Sequence, residues 1–277
     1  MLAAGRARRY GGVKPLAPIG PNGEAVIDLL AGDALRAGFT RLVLVVNGDT
    51  GPLIEAHVSS SWPAHVDVAF ALQPRPLGTV DAVLAARGSL DTTTPFGIAN
   101  ADDLYGTDAL EVLGHHLATA GTNCLVGFRL DRATVGDLPV TRGVCSVHDG
   151  VLVSIAERRN VTQRDGVFRA DDGLEPVDLD PASLVSMNLW GLAPPMWGAL
   201  GDAMSSAKDA SEDDEVLLPE LVGRLVAGSG ELSRFDVLST TSRCVGVTHP
   251  DDLELVRAEI AAEVARGDRT AGAFDPV

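Results

Sequence analysis

The amino-acid sequence predicts an α/β fold with a mostly parallel central sheet flanked by helices. Two observations predict it: short segments that are continuously apolar and rich in β-branched residues, and amphipathic stretches between them. Strands covered on both faces have such apolar runs, and their alternation with helices is typical of right-handed parallel βαβ units. The predicted strands of this kind are residues 41–46, 66–71, 95–99 and 124–130.

Helices are predicted between these strands. Residues 24–38 place apolar side chains at helical spacing and end in Ala-Gly, a common helix stop. Farther along, Asp149 and Gly150 stand between two β-rich runs, a pattern typical of a hairpin. The polar stretch 159–180 indicates a surface loop, and we expect the residues after 267, which lack periodicity, to fray. The remaining predicted elements are helices 80–87, 108–120, 216–226 and 251–266, hairpin strands 143–148 and 151–157, and strand 186–192.

Composition is that of a globular protein and excludes several classes of partner. Of 277 residues, 45% are hydrophobic and 22% charged, which argues against disorder and a coiled coil. The net charge of -16 leaves no basic stripe for a phosphate backbone, so we expect no nucleic-acid partner. No apolar run reaches the roughly 20 residues that cross a bilayer, so we expect no membrane partner either. Three widely separated cysteines and the absence of a signal-peptide pattern predict a cytoplasmic protein.

The first residues have the character of a strand end. Leu2, Ala3, Ala4 and Gly5 are typical of a strand entering a glycine turn, where small residues let a ligand approach the backbone. A central strand of a parallel sheet needs about five residues. We therefore expect the natural chain to start a few residues before Met1.

Positive charge follows this turn. Arg9 and Lys14 lie on one glycine-rich loop, whose successive N–H groups can bind a phosphate. The chain has 20 arginines and only two lysines, so Lys14 is a candidate for a role that needs a compact ammonium. A polyphosphate that gains negative charge during a reaction needs this combination. A plain glycine-rich surface loop with solvated arginines is the alternative interpretation.

The segment LAAG-x4-YGG-x-KPL, residues 2–16, resembles the signature LAAG-x-G-[ST]-R-x5-KPL of the sugar-1-phosphate nucleotidyltransferases. The motifs IGPNGE and DALRAGF that follow sharpen the resemblance to a bacterial subgroup of uncertain substrate. The resemblance covers nearly the whole chain and implies a Rossmann-like, GT-A-like nucleotidyltransferase fold with a β-rich sugar-binding part. It implies one domain, residues 1–277, with a nucleotide-binding half (1–135), a sugar-phosphate-binding half (136–250) and a C-terminal helix and tail (251–277).

The resemblance also implies a nucleotide site. Residues 73–79 (QPRPLGT) are similar to the family's PLGT segment near the nucleotide base. Gln73 and Gly78 would contact the base, with Thr79 beginning the next helix. A proline-rich connection with Thr79 as helix cap is the alternative. The other implied roles are nucleotide contacts at Leu2, Ala3, Ala4 and Gly5 and catalytic roles for Arg9 and Lys14.

Two aspartates follow the predicted strand 95–99. Carboxylates at the carboxyl end of a parallel strand face the ligand crevice, and Mg²⁺ takes carboxylate and phosphate oxygens together. The resemblance implies that Asp102 is catalytic and holds the Mg²⁺ that bridges the phosphates, with Asp103 as a second metal ligand. A pair of helix-capping aspartates is the alternative.

Shorter matches imply the sugar-phosphate side. The segments RGV and SIAER resemble the family's YGV and I-x-EKP segments, in which Glu binds sugar hydroxyls and Lys binds the sugar phosphate. The resemblance gives sugar-phosphate contacts to Gly143, Glu157 and Arg158, and to Asn188 on a later strand. Arg158 replaces the family's lysine, and a guanidinium can hold phosphate with two hydrogen bonds.

Three positions depart from the family pattern. Ala7 and Arg8 replace a glycine and a Ser or Thr, and Gly246 stands where the second metal-binding aspartate is expected. One carboxylate fewer weakens the metal site unless Asp103, Asp251 or water substitutes for it. These departures bear on activity more than on fold.

The predicted activity is Mg²⁺-dependent joining of a nucleoside triphosphate and a sugar 1-phosphate to give a nucleotide sugar and pyrophosphate. Two alternatives stay open. The departures favour a catalytically weak or inactive homologue that binds a nucleotide or nucleotide sugar. A glycosyltransferase is the other alternative, and Lys14 argues against it because such an enzyme expels no pyrophosphate. The sequence leaves open the base, the sugar and the oligomeric state, a homo-oligomer included.

Overall fold

The structure, a computed structural model, describes residues 1–5, 12–134, 138–207, 215–246 and 252–275. Within these ranges the helices are α1 (Val26–Arg36), α2 (Gly51–Ser61), α3 (Thr79–Ala85), α4 (Thr107–Thr119), α5 (Met196–Ser206), α6 (Leu218–Val226) and α7 (Asp252–Arg266). The strands are β1 (Leu42–Val46), β2 (Val68–Leu72), β3 (Phe96–Ile98), β4 (Asp103–Leu104), β5 (Cys124–Arg129), β6 (Val140–His148), β7 (Val151–Arg164), β8 (Val167–Arg169), β9 (Asp178–Leu179), β10 (Leu184–Leu192), β11 (Asp236–Ser239) and β12 (Val245–Gly246). None of the helices in the described ranges has both the length and the hydropathy that crossing a bilayer requires.

The half of the sheet that contains the first residues is parallel. Strands β1 and β2 pair in parallel along their whole length. Residues 1–3 lie on the other edge of β1: the N–H of Ala3 donates to the carbonyl of Val45, and the N–H of Leu2 to the carbonyl of Ala99, both at 2.7 Å. These residues are thus a short central strand between β1 and the end of β3, as the sequence predicted.

The other half of the sheet is mixed. Strand β10 lies between β3 and β5 and is antiparallel to both, while β11 is parallel to β5. Strands β6 and β7 form the predicted hairpin around Asp149 and Gly150, and β6 pairs with β10. The predicted α/β fold class is confirmed, with a central sheet whose first half is parallel and in which β10 runs antiparallel to its neighbours β3, β5 and β6.

Helices cover both faces of this sheet. Helices α1, α2, α4 and α7 contribute to the core on one face, and α3, α5 and α6 to the core on the other. In β5, Val126 and Phe128 pack into the first core and Leu125 into the second, and all three are fully buried. A strand buried on both faces has no polar side, which is why apolar runs in the sequence located β1, β3 and β5.

The prediction of a surface loop over residues 159–180 is wrong. Strand β7 runs into this stretch, and a turn at Asp165 and Gly166, with φ of 52° and 79°, leads to β8. Strands β8 and β9 bury Phe168 and Leu179, which are 1% and 6% exposed. A second Asp-Gly turn therefore extends the hairpin. The few apolar side chains of β8 and β9 lie between polar residues in the sequence, so these strands have no clear apolar pattern.

The expectation that the residues after 267 fray is also wrong for residues 268–275, and residues 276 and 277 lie outside the described residues. The guanidinium of Arg269 donates to both carboxylate oxygens of Asp33, at 2.7 and 2.8 Å, and to Glu263 at 2.7 Å. The Arg269 side chain is 1% exposed. A buried ion pair of this kind fixes the tail to α1, because either charge left alone there would be costly. Such a contact leaves no periodic pattern in the sequence.

The central strand is short at its amino end. The Met1 amine is buried and donates to the carbonyl of Val43 at 2.8 Å, as the N–H of a strand residue would. Burial lowers the pKa of this amine to about 5. Next to it a cavity of about 550 Å³ lies between β1 and β3, with apolar side chains such as Phe96 and Leu113 in its wall.

Candidate active site

The carboxyl ends of the parallel strands meet at one edge of the sheet, and a cavity of about 530 Å³ opens there. This is the edge at which open α/β sheets bind ligands. All seven residues predicted to contact the nucleotide line the cavity. Lys14, Asp102 and Asn188 line it as well. The structure therefore brings most of the predicted site residues to one surface.

The ammonium and the carboxylate predicted to be catalytic meet in this cavity. Nζ of Lys14 lies 4.0 Å from Oδ2 of Asp102, and the two side chains are 19% and 36% exposed. Lys14 begins a single 3-10 turn that follows the glycine-rich loop, and Asp102 follows β3. Segments far apart in the sequence thus place opposite charges on one ligand-accessible surface. Ala7, Arg8 and Arg9, on the loop between Gly5 and Lys14, lie outside the described residues.

The residue after β1 supports the glycine-rich turn. Asn47 donates from its amide nitrogen to the carbonyl of Ala4 at 3.0 Å. Its amide oxygen accepts the N–H groups of Asp49 and Thr50, at 2.9 and 2.8 Å. Thr50 lines the cavity. Sequence reasoning missed Asn47 and Thr50, although Asn-Gly-Asp-Thr directly after a buried strand is a turn signal.

Asn100 and Tyr105 hold the acidic segment against β10. The Tyr105 hydroxyl accepts the N–H of Asn100 at 2.9 Å and donates to the carbonyl of Met187 at 3.0 Å. The side-chain amide of Asn100 donates to Oδ2 of Asp103 at 2.9 Å. Asn100 also lines the cavity. The hydrogen bonds through Tyr105 therefore fix the turn that carries Asp102 to β10, at the edge of the sheet where the cavity opens.

Burial raises the pKa of both aspartates. For Asp102 the loss of hydration is the main cause, and the Lys14 ammonium opposes it. Burial and then the neighbouring Asp102 carboxylate raise the pKa of Asp103 to about 7, against the hydrogen bond from Asn100. Two adjacent carboxyl groups that resist ionising together favour a bound cation, because positive charge stabilises both anions.

Strands β4 and β12 place Gly246 directly opposite Asp103. A Cβ at position 246 would collide with Oδ1 of Asp103, so only glycine fits while this carboxylate keeps its place. The space beside position 246, where the resemblance leads us to expect an aspartate, is thus occupied by the carboxylate of Asp103. Asp251, the other candidate substitute, lies outside the described residues.

Replacing Gly246 by alanine is expected to lower the free energy of unfolding by about 1–3 kcal/mol, because the added methyl group displaces the Asp103 carboxylate. Urea denaturation measures this change. The double variant G246A/D103A removes the obstructing carboxylate, so its loss of stability should be smaller than the sum of the two single losses. Additive losses would show that the two side chains do not compete for this space.

The turn between β2 and α3 forms another part of the cavity wall. Gly78 has φ of 95°, and a Cβ there would collide with the backbone of Val216. The Thr79 hydroxyl accepts the N–H of Leu218 at 2.7 Å, so this turn packs against the start of α6. Gln73 donates to the carbonyl of Gly78 at 3.1 Å. Thr79 begins α3, as the sequence predicted.

Similar solved structures share this fold over nearly the whole chain. The inositol-1-phosphate CTP transferase from T. maritima gives a TM-score of 0.65 at 15% identity, and 94% of each chain is covered. A UDP-glucose pyrophosphorylase complexed with UDP-glucose gives 0.65 at 15%, with 95% of this chain and 97% of that chain covered. HddC from Yersinia pseudotuberculosis, complexed with GMP-PN, gives 0.60 at 17%, with 93% and 96% covered. At these identities the likeness establishes the fold.

The sequence of residues 9–134 matches the family model described as nucleotidyl transferase. This part of the chain belongs to the nucleotidyl transferase family. The match includes Lys14, Gln73 and Asp102, and it supports nucleotidyl transfer as the reaction class. No curated protein sequence matches the chain at a significant level.

Three residues predicted for the sugar-phosphate side of the nucleotidyltransferase are not among the described residues that line the cavity. Gly143 and Glu157 pair across β6 and β7, and Glu157 accepts a hydrogen bond from Arg159 at 2.9 Å. The Arg158 side chain is 4% exposed, donates to Asp172 at 2.8 Å and holds the pKa of that carboxyl below its usual range. A guanidinium bound inside the protein in this way has a structural role between β7 and the segment before β9.

The oxygen atoms of this cavity fit a hard cation. Mg²⁺ is usually held by one or two carboxylates together with water and substrate phosphates. Asp102 offers a partly exposed carboxylate, and Asp103 a buried one beside it. Within the described ranges no group of three or more His, Cys, Asp or Glu side chains is arranged to hold a metal ion, so a cation here would depend on phosphate oxygens as well.

Proposed function

We propose that this chain joins a nucleoside triphosphate and a sugar 1-phosphate to give a nucleotide sugar and pyrophosphate. The observation that carries the proposal is the approach of the Lys14 ammonium to the Asp102 carboxylate, 4.0 Å apart, in a cavity that also contains the glycine turn. Family membership over residues 9–134 supports the same reaction class. The proposal treats residues 1–277 as one domain, with nucleotide-binding and sugar-phosphate-binding halves.

In the proposed reaction an oxygen of the sugar 1-phosphate attacks the α-phosphorus in line. A new P–O bond forms, the bond between the α-phosphorus and the bridging oxygen breaks, and pyrophosphate leaves with that electron pair. The attacking phosphate is already ionised, so no general base is required. Lys14, with Arg9, would stabilise the charge that the phosphate oxygens gain, and catalysis would rest on positioning and electrostatics.

Asp102, with Asp103, would hold Mg²⁺. The cation, when bound, supplies positive charge to the phosphate oxygens. Asp102 has the accessible carboxylate of the pair, and Asn100 fixes the orientation of Asp103. Nζ of Lys14 lies 4.0 Å from Oδ2 of Asp102, so a phosphate bound to a cation on Asp102 would also lie within reach of the Lys14 ammonium.

On the sugar side Asn188 has the strongest support. It lines the cavity from β10, and its φ of 59° breaks the regular pairing of β10 with β5 near that residue. Gly143 and Glu157 lie on neighbouring strands and stay proposals for sugar contacts. Arg158 is the weakest of the four, because its donors are used by Asp172 and by nearby carbonyl groups.

A homologue that binds nucleotide without turnover is the second candidate, and Gly246 favours it because one expected carboxylate is absent from that position.

The proposed function includes a cytosolic location. Its support is that Cys124, Cys145 and Cys244 are all buried and free.

Pyrophosphate release from a panel of nucleoside triphosphates and sugar 1-phosphates, with Mg²⁺, tests the proposal. Turnover with at least one pair is the expected result. Nucleotide binding without release of pyrophosphate from any pair would favour the binding homologue. Transfer of a sugar from a nucleotide sugar to an acceptor would instead show a glycosyltransferase.

A further inference from the structure

The orientation of the Gln73 side chain is fixed by two acceptors. Its amide nitrogen donates to the carbonyl of Gly78 at 3.1 Å and to Oδ2 of Asp81 at 2.9 Å. A carbonyl and a carboxylate can only accept, so the amide cannot be turned the other way round. Gln73 is 5% exposed and lines the cavity, and no described residue donates to its Oε1. A ligand therefore meets Gln73 as an acceptor.

Gln73 lies well away from the charged end of the cavity. It follows β2, and Asp102 follows β3; β1 and residues 1–3 lie between these two strands. Three strand spacings of about 4.8 Å separate them by roughly 14 Å. A nucleotide whose phosphates lie near Lys14 and Asp102 would therefore extend its base toward Gln73.

A second acceptor, Glu215, lies in the same part of the wall. The next residue, Val216, donates its N–H to the carbonyl of Leu77 at 2.9 Å and accepts the N–H of Val80 at 3.1 Å. The backbone of Val216 also fills the space that a Cβ on Gly78 would need. These contacts hold Glu215 beside the turn whose carbonyl orients Gln73.

We propose that this end of the cavity selects guanine. Of the common bases, guanine alone has two adjacent donors, N1–H and the 2-amino group, on its Watson–Crick edge. The amide oxygen of Gln73 and the carboxylate of Glu215 provide two acceptors for them. Uracil and thymine have a single donor, N3–H, between two carbonyl groups. One of the two protein acceptors would then face a carbonyl oxygen of the base, and neither of these two oxygens would have a hydrogen-bond donor. The inference rests on the proposed nucleotide site and names its base.

Binding affinities of GTP, ITP, ATP, CTP, UTP and dTTP, measured by calorimetry with Mg²⁺, test this inference. GTP should bind at least about tenfold more tightly than UTP and dTTP. ITP is identical to GTP except that it lacks the 2-amino group, so it should bind more weakly than GTP. UTP or dTTP binding as tightly as GTP, or ITP matching GTP, would overturn the inference.

The variant Glu215→Gln replaces one carboxylate oxygen by a donor of the same size. It should reduce the preference for GTP over UTP at least about tenfold and leave the melting temperature unchanged. Glu220→Gln on α6, outside the residues that line the cavity, is the matched control and should keep the preference. An unchanged preference in Glu215→Gln would overturn the role of this carboxylate. Failure of every triphosphate to bind the wild-type chain would overturn the proposed function itself.

Discussion

Replacing Asp102 by asparagine is expected to reduce the rate of pyrophosphate release at least about 100-fold, with little change in melting temperature. The variant keeps the shape of the side chain but removes the negative charge 4.0 Å from the Lys14 ammonium. A cation that depends on this carboxylate would bind more weakly, so Mn²⁺ affinity, measured by electron paramagnetic resonance without substrate, should also fall. The same reasoning gives Lys14→Met a similar loss of rate but no loss of Mn²⁺ affinity.

The matched control is Asp149→Asn, at the turn of the β6–β7 hairpin. The Asp149 side chain is 88% exposed, and its φ of 49° suits asparagine as well as aspartate. This variant should retain wild-type rate and Mn²⁺ affinity. If Asp102→Asn matched it in both measurements, Asp102 would have no part in catalysis or in cation binding.

The convergence of Lys14 and Asp102 could be predicted from the sequence because each residue follows a segment with a strong local pattern. Asp102 follows a continuously apolar strand, and Lys14 follows a glycine turn. The carboxyl ends of parallel strands share one edge, so topology alone places the two residues near each other. Gln73 and Gly78, which follow β2, are assigned to the site by the family resemblance, and the structure places them at the same edge.

Residues that depend on long-range packing could not be found in this way. Glu215 reaches the cavity only because Val216 pairs with the turn at Leu77, and no local pattern marks that contact. Arg158 stands where the family motif has a lysine, but the acidic segment that binds its guanidinium follows in a stretch that lacks clear strand signals. Helices α2 and α5 were likewise not predicted, since α2 includes polar residues such as His57 and a run of three serines.

The amine of Met1 is expected to contribute stability that rises between pH 5 and pH 8. Burial lowers the pKa of this amine from 8.0 to about 5, and its N–H donates to the carbonyl of Val43. Between these two values the unfolded chain binds the proton and the folded chain does not, so the free energy of unfolding increases with pH. Three pH units correspond to about 4 kcal/mol at most.

Acetylation of the amine isolates this contribution, since an acetylated amine cannot be protonated. Asp103 titrates in the same range with the opposite sign, because its raised pKa means that the folded chain binds the proton. The difference between the free and acetylated chains, measured by urea denaturation from pH 5 to pH 8, cancels Asp103 and leaves the amine. The acetylated chain should be the more stable one at pH 5, and the difference should decrease toward pH 8. An equal difference at every pH would show that folding leaves the pKa of the amine unchanged, and it would contradict the burial of this amine in the fold.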